Sequence, residues 1–188
     1  MAKPKIYQQL KQLFLNANSA LLTRDGILFD SRAAERTLCG ALMLHLYDIL
    51  RETTYAQYYV DVEYNRNKGG KIKTISKTIL GTDLKVIPIN CDLIVHSRGE
   101  IIKQDNLIAI EMKKSTRPES EKDSDRERLR CLTKDSFDDV WSFDGKTLPE
   151  HVCRYIIGIY YEVNYRTREI LLEYYYKGEK DTSQTIHY

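Results

Sequence analysis

Two neighbouring apolar segments carry charged residues at their ends. An acid stands before the first segment, and an acid and a lysine stand after the second. Asp92 directly precedes the apolar residues 93–95, and Glu111 and Lys113 follow the apolar run 107–110. Residues two apart on a strand project from the same face, so Glu111 and Lys113 share a face if this segment is a strand. Two carboxylates that lie close together in a partly buried place repel each other, and a bound cation would stabilise them.

These residue types favour one kind of chemistry. Carboxylate oxygens with no accompanying His or Cys are the ligands that magnesium or manganese prefers, whereas zinc favours nitrogen and sulfur. Lys113 could then hydrogen-bond a metal-bound water or a phosphate, which would stabilise charge that builds on phosphorus. The set suits hydrolysis of a phosphodiester. The alternative is a solvated Glu111–Lys113 ion pair of little energetic value, because a Glu-x-Lys triplet also arises by chance in a charged chain.

The two segments predict a hairpin. Residues 86–96 (VIPINCDLIVH) and 106–114 (NLIAIEMKK) have the apolar character of strands that are buried on both faces. Residues 97–106 contain the Gly, Asn and charged residues of a connection, which makes the two strands antiparallel. Pairing the residues that flank this loop puts Asp92 opposite the neighbourhood of Glu111. The sequence therefore predicts that two carboxylates and a lysine converge on one patch.

This pattern resembles the core of the PD-(D/E)XK nuclease superfamily, to which many restriction endonucleases belong. That core has an Asp at the start of one strand, a hairpin, and Glu-x-Lys at the end of the next strand. The order Asp92, His96, Gly99 and then IEMKK (residues 110–114) is similar to small bacterial members of that superfamily. One departure is visible, because Cys91 replaces the proline that precedes the Asp in the family. That proline contributes backbone shape and no ligand.

The resemblance implies a set of site residues. Asp92 and Glu111 would hold Mg²⁺ (or Mn²⁺) together with the main-chain carbonyl of Met112, and Lys113 would be the catalytic lysine. Many members also carry a glutamate on the first core helix, where it holds a second metal or its water. Glu35 is the matching residue here.

Residues 31–50 predict that first helix. Apolar side chains recur at helical spacing, and Asp30 or Ser31 can cap the N-terminus. The apolar stripe consists of Leu38, Leu42, Leu46 and Ile49. Glu35 lies three positions before Leu38 and therefore on the same stripe, facing the sheet. A structural role stays open, since the helix dipole favours an acid in the first turn and the side chain can extend to water.

A second helix is predicted over residues 119–133, after the Glu-x-Lys strand. It contains strong helix formers and the apolar residues Leu129 and Leu132. Its Asp125, Arg128 and Leu129 resemble the Asp-x-x-Lys-Leu pattern of the small bacterial members. Acidic and basic residues alternate along this segment, so we interpret most of its charges as a solvated face.

The charge balance bounds the choice of partner. The net charge is +2 and both signs are scattered, so contact with DNA must come from a local patch. Lys68, Lys71 and Lys73 flank two glycines in residues 65–77, where a turn between strands could contact phosphates or form a solvated hairpin tip. Lys114 is a further candidate beside the predicted site.

The remaining segments predict the architecture. Residues 5–14 form a short amphipathic helix, residues 15–30 a connection, residues 55–64 a strand, and residues 155–163 and 169–176 a second hairpin. The whole is an α/β fold with a mixed β-sheet flanked by helices, restriction endonuclease-like by the resemblance. Residues 1–30 would be an N-terminal helix and connection, and residues 31–188 a PD-(D/E)XK nuclease-like domain.

These observations lead to a functional hypothesis. We expect a magnesium-dependent nuclease that hydrolyses DNA, in defence against foreign DNA or in repair. The alternatives are a non-catalytic DNA- or protein-binding subunit of the same fold and an RNA-directed nuclease. A homodimer is reasonable, because enzymes that cut both strands often pair two sites. The segment 1–14 lacks the apolar core of a signal peptide, and four widely spaced cysteines suit a reducing compartment, so a cytoplasmic location is expected.

Overall fold

The structure is a computed structural model that describes residues 3–63, 74–79, 83–88, 91–134 and 153–188. The described residues form helices and strands in mixed order. The helices are α1 (Lys5–Arg24), α2 (Gly26–Asp30), α3 (Glu35–Arg51) and α4 (Glu119–Thr133). The strands are β1 (Tyr59–Val62), β2 (Thr74–Ile79), β3 (Asp83–Pro88), β4 (Leu93–His96), β5 (Asn106–Lys114), β6 (Ile157–Asn164), β7 (Glu169–Tyr176) and β8 (Glu179–His187).

Six strands form one open sheet in the order β1-β4-β5-β6-β7-β8. Every neighbouring pair is antiparallel except β5 and β6, which run parallel. Strands β2 and β3 pair with each other in a separate antiparallel ladder. Parallel strands need a crossover connection, and α4 lies in the connection from β5 to β6. The expected α/β architecture with a mixed sheet flanked by helices is therefore confirmed.

The two faces of the sheet are covered by different helices. On one face α1 and α3 pack on the side chains of Ile108, Ile110 and Met112. On the other face Leu129 and Leu132 of α4 pack with a smaller apolar group. That group includes Ile94, Ala109 and Tyr160. Side chains two residues apart on a strand project from the same face. Asp92 therefore lies on the α4 side of the sheet with Ile94, and Glu111 and Lys113 lie there with Ala109.

The N-terminal helix is longer than predicted. Its buried stripe continues from Leu10 and Phe14 through Ala17 and Leu21, so α1 runs to Arg24 and the expected connection over residues 15–30 was wrong. A short α2 follows it. The Phe14 ring meets the Tyr161 ring edge-on at 6.3 Å, so residues before position 30 share the core of the sheet.

Helix α3 starts later than the sequence suggested. Its first residue is Glu35 and its N-cap is Ala34, with no side-chain capping bond, so the prediction that Asp30 or Ser31 caps it was wrong. Asp30 instead ends α2 and pairs with Arg168. The predicted stripe of Leu38, Leu42 and Leu46 is buried, as expected.

Both predicted hairpins are present, with shifted bounds. Strands β4 and β5 are antiparallel, but β4 covers only Leu93–His96, and residues 86–88 belong to β3. Strands β6 and β7 form the second hairpin, and β8, which the sequence did not indicate, adds an edge strand to it. Strand β1 begins at Tyr59 and not at residue 55, because turns occupy the residues before it. The four cysteines all lie in the described residues, and no disulfide bond joins any two of them.

Candidate active site

Asp92 and Glu111 meet where β4 begins and β5 ends. The register pairs Leu93 with Ile110, which leaves Asp92 opposite Glu111. The main-chain N–H of Met112 donates a hydrogen bond to Asp92 Oδ2 at 2.8 Å. The two carboxyl groups are also close enough for each to influence the pKa of the other. The structure therefore brings the two predicted acids together on the α4 side of the sheet.

Glu111 is almost completely buried, and a guanidinium accompanies it. Its side chain is 1% exposed, and Arg128 Nη1 of α4 donates to Glu111 Oε1 at 2.6 Å. Burial raises the pKa of Glu111 to about 8; the Arg128 charge opposes this rise, and the neighbouring Asp92 adds to it. Burial works against the Arg128 charge, but Glu111 outweighs it and raises the pKa of Arg128. Arg128 thus stays charged, while the Glu111 carboxyl readily takes up a proton.

Lys113 lies on the same face as Glu111 and contacts a second residue of α4. Its Nζ is 2.9 Å from Asp125 Oδ2, and Asp125 Oδ1 is 3.2 Å from Arg128 Nη1. Burial alone would lower the pKa of Lys113, but the adjacent carboxylates outweigh it and raise the pKa, so the ammonium is kept. Asp125 therefore holds both cations of the site.

We refer to Asp92, Glu111, Lys113, Asp125 and Arg128 as the charged cluster. Three carboxyl groups face two cations, so full ionisation would leave an excess negative charge in a poorly solvated place. Burial accordingly raises the pKa of Asp92, although the Met112 amide opposes the rise. A buried excess charge of this kind is relieved by a proton or by a further cation.

The donor atoms of the cluster fit a hard divalent cation. Asp92 and Glu111 supply carboxylate oxygens, and a strand residue directs its N–H and C=O toward the same neighbour, so the Met112 carbonyl faces the Asp92 side as its amide does. Magnesium needs only one or two carboxylates and completes its shell with water. Across the described ranges, no group of three or more His, Cys, Asp or Glu side chains is arranged to hold a metal ion.

Glu35 lies beside the cluster and not within it. It is the first residue of α3, on the helix layer that covers the opposite face of the sheet, and its half-buried side chain faces the end of β5. Its Oε1 accepts the Lys114 N–H at 2.8 Å, and its carboxylate pairs with Arg117 at 3.2 Å. Arg117 and the Lys114 amide outweigh burial and lower the pKa of Glu35. An ionised carboxylate is thus fixed at the end of β5, next to Lys113.

The lysines proposed from the sequence to contact phosphate divide into two groups. Lys114 Nζ is 3.4 Å from the Arg32 carbonyl and lies over the Tyr165 ring at 5.4 Å from its centroid. Lys114 is partly exposed and lies at the rim of the site, near Glu35. The structure does not describe residues 64–73, which contain the other proposed lysines, Lys68, Lys71 and Lys73.

Sequence reasoning missed the contribution of α4 to the cluster. The interpretation of its charges as a solvated face holds for exposed residues such as Asp123 but was wrong for Asp125 and Arg128. A signal was present, since Asp125 precedes Leu129 by four residues and so shares its buried stripe. Lys122, seven residues before Leu129, is buried on that stripe as well and pairs with Glu162 at 3.3 Å.

Comparison of the chain with protein-family models, with curated proteins and with solved structures gives no significant match in any of the three. In the part of the chain that the structure describes, no helix combines the length and the apolar character needed to cross a membrane. A functional assignment therefore depends on the side chains of the charged cluster.

Proposed function

We propose that the chain is a magnesium- or manganese-dependent nuclease that hydrolyses DNA phosphodiester bonds. One observation carries the proposal. Asp92 and Glu111 meet across β4 and β5 in a poorly solvated place, and Lys113 projects from the same face two residues later. A buried acid and a half-buried acid beside a lysine supply both the ligands for a hard cation and a donor for a phosphate oxygen.

Each residue of the site has a proposed role. Asp92, Glu111 and the Met112 carbonyl would hold Mg²⁺ or Mn²⁺, which when bound would polarise a phosphate oxygen and lower the pKa of a water molecule. Lys113 would donate to the phosphate or to the attacking water, and its raised pKa keeps it charged for that task. Glu35 would assist from the end of β5, directly on a second metal or through water.

The family resemblance supports this assignment. The Asp92, Glu111 and Lys113 pattern resembles the PD-(D/E)XK superfamily, and a restriction endonuclease-like fold is our proposal for the mixed sheet. Lys114 at the rim, with Lys68, Lys71 and Lys73, would contact the phosphate backbone. A role in defence against foreign DNA or in repair, action in the cytoplasm, and pairing of two copies remain part of the proposal.

A second candidate function has an observation in its favour. Glu111 and Lys113 are already paired with Arg128 and Asp125, as in a structural ion-pair network. Such a network would suit a non-catalytic subunit that binds DNA or a partner protein. We place this candidate second because three carboxyl groups against two cations leave the cluster short of positive charge.

Cleavage assays separate these candidates. Supercoiled plasmid, linear duplex, single-stranded DNA and RNA are each incubated with the purified protein, with Mg²⁺ or with a chelator. We expect Mg²⁺-dependent cleavage that is lost in Asp92→Asn and Lys113→Ala and kept in Lys103→Ala, which removes an exposed lysine of the β4–β5 connection. Cleavage of RNA alone would favour the RNA-directed nuclease. Binding of DNA without cleavage would favour the non-catalytic subunit, and undiminished cleavage by Lys113→Ala would overturn the site assignment.

A further inference from the structure

We propose that Arg128 is a built-in competitor of the divalent cation, which occupies Glu111 until the cation replaces it. This inference rests on the proposed function, because it concerns the loading of the same site. Arg128 reaches from α4 and donates to the Glu111 carboxylate, the acid that would also serve as a metal ligand.

Arg128 and a metal ion compete for the same carboxylate. Glu111 Oε1 is 2.6 Å from Arg128 Nη1, and the Glu111 side chain is buried, so a metal ion on this carboxylate would stand a few ångströms from the guanidinium. The metal ion and the guanidinium are both positively charged, and at so short a distance they repel each other strongly where water is scarce. The favourable state therefore has either Arg128 or the metal ion at Glu111, and not both.

Arg128 is placed so that it can leave. Its side chain is 24% exposed, so its guanidinium can turn toward water. It also touches Asp125 Oδ1 at 3.2 Å and can keep that partner after it releases Glu111. Arg128 thus gains a hydrated or Asp125-paired position when Glu111 takes another cation.

The rest of α4 stays attached when Arg128 moves. Leu129 is buried against the sheet, and two further ion pairs join the helix to β6 and β7. These are Lys122 with Glu162 at 3.3 Å and Arg126 with Glu173 at 3.1 Å. The change is therefore a side-chain exchange, and the helix needs no rigid-body displacement.

The same contact explains how Glu111 is tolerated without metal. An ionised carboxylate that is buried and unpaired is strongly unfavourable, as when one partner of a buried ion pair is removed. Arg128 reduces that cost in the metal-free protein. Because the metal ion must displace Arg128, the affinity of the site for metal is lower than its ligands alone would give. The contact thus sets the metal concentration at which the site fills.

Mn²⁺ titration of three variants tests the inference. Arg128→Gln removes the competing charge and Arg128→Lys retains a charge. Arg130→Gln is the matched control, because Arg130 lies on the same helix but pairs with the exposed Glu179 of β8. Binding is followed by calorimetry and by the rise in melting temperature. We expect Arg128→Gln to bind Mn²⁺ roughly tenfold or more tightly than the wild type. The Mn²⁺ affinity of Arg128→Lys should lie between those of the wild type and Arg128→Gln, and the affinity of Arg130→Gln should match that of the wild type.

The outcomes separate the inference from the proposed function. Equal Mn²⁺ affinity in the wild type and Arg128→Gln, or weaker affinity in the variant, overturns the inference and leaves the metal site standing. Tighter binding by Arg128→Gln without cleavage in any of these proteins supports the inference and overturns the nuclease. No Mn²⁺ binding by any of them overturns both.

If Arg128→Gln is unfolded without metal, recovery of helical circular dichroism with Mn²⁺ supports the inference. If the signal does not recover, the Arg128→Lys affinity decides, and a value equal to that of the wild type overturns the inference.

Discussion

Lys113 Nζ lies 2.9 Å from Asp125 Oδ2, a contact that joins the end of β5 to the middle of α4. Asp125 also contacts Arg128 through its other oxygen at 3.2 Å. One buried carboxylate therefore positions the lysine that would act on phosphate and the arginine that accompanies Glu111. In the proposed nuclease Asp125 would be a positioning residue, because it would act on the reaction through Lys113.

Asp125→Asn should slow cleavage while the protein stays folded. The amide keeps the shape of the side chain but loses the charge that holds Lys113, and misplacement of a reacting group by about 1 Å can cost roughly 100-fold in rate. We expect kcat to fall and KM to change little, because the lysines proposed to contact the DNA backbone lie elsewhere. Steady-state cleavage of a labelled duplex measures both constants. Asp123→Asn, on the exposed side of the same helix, is the control; an equal loss there would remove the role given to Asp125.

Divalent ions should stabilise the protein through Asp92. A ligand that binds only the folded state at about 100 times its dissociation constant adds about 2.7 kcal/mol, or roughly 5–10 °C in a chain of this size. We expect Mg²⁺ or Mn²⁺ to raise the melting temperature of the wild type by about this amount. Asp92→Asn should lose most of the response. Asp48→Asn, which alters an exposed acid of α3, should retain it, and equal shifts in all three proteins would contradict the metal site.

The raised pKa of Glu111 predicts a pH dependence of stability. The folded protein binds a proton more tightly than the unfolded chain between about pH 4.5 and about pH 8, because burial raises the pKa of this carboxyl. Stability from this group is complete below the lower value and is lost as the pH rises through the upper one. We therefore expect the metal-free wild type to lose more stability than Glu111→Gln as the pH rises.

Urea denaturation at several pH values measures this difference. Glu121→Gln, an exposed substitution in α4, should follow the wild type. Metal binding should show the opposite trend, with Mn²⁺ affinity increasing with pH in the same range, since a ligand carboxylate must be deprotonated. Parallel stability curves for the wild type and Glu111→Gln would argue against a shifted pKa.

The parts of the site that depend on local pattern could be predicted from the sequence. The apolar runs and the loop between them place Asp92 opposite Glu111, and α4 has its predicted bounds because helix formers and two leucines define it. The alternation of charges hid the residues Asp125 and Arg128. Their burial follows from the position of α4 on the sheet, which is a tertiary property.

The remaining features depend on non-local pairing or on local signals that are weak or misleading. The parallel ladder of β5 and β6 joins segments separated by more than 40 residues, and nothing in either strand specifies its partner. Strand β8 is an edge strand with a largely exposed, polar sequence, so it lacks the apolar alternation that predicts a strand. The N-terminus of α3 was misplaced because Asp30 and Ser31 have the residue types of a cap but end α2.

Gly158 of β6 should be intolerant of a side chain, because α4 packs directly on it. A Cβ at this position would lie 3.1 Å from Thr133 Cγ2 and 3.2 Å from Tyr175 Cβ, closer than ordinary van der Waals contact. Gly158→Ala therefore requires Thr133 of α4 and Tyr175 of β7 to give way by a few tenths of an ångström, and we expect this to cost about 1–3 kcal/mol. Because α4 carries Arg128 and Asp125, the same change should also lower the cleavage rate.

Gly40 of α3 provides the matched control. A Cβ there meets no atom within 4 Å, and alanine in a helix interior is favoured over glycine by about 0.5–1 kcal/mol. Chemical denaturation should therefore show opposite signs, with Gly40→Ala more stable than the wild type and Gly158→Ala less stable. A neutral or stabilising Gly158→Ala would mean that α4 does not pack on β6 as described, and the contacts of Arg128 and Asp125 with the sheet would then lose their basis.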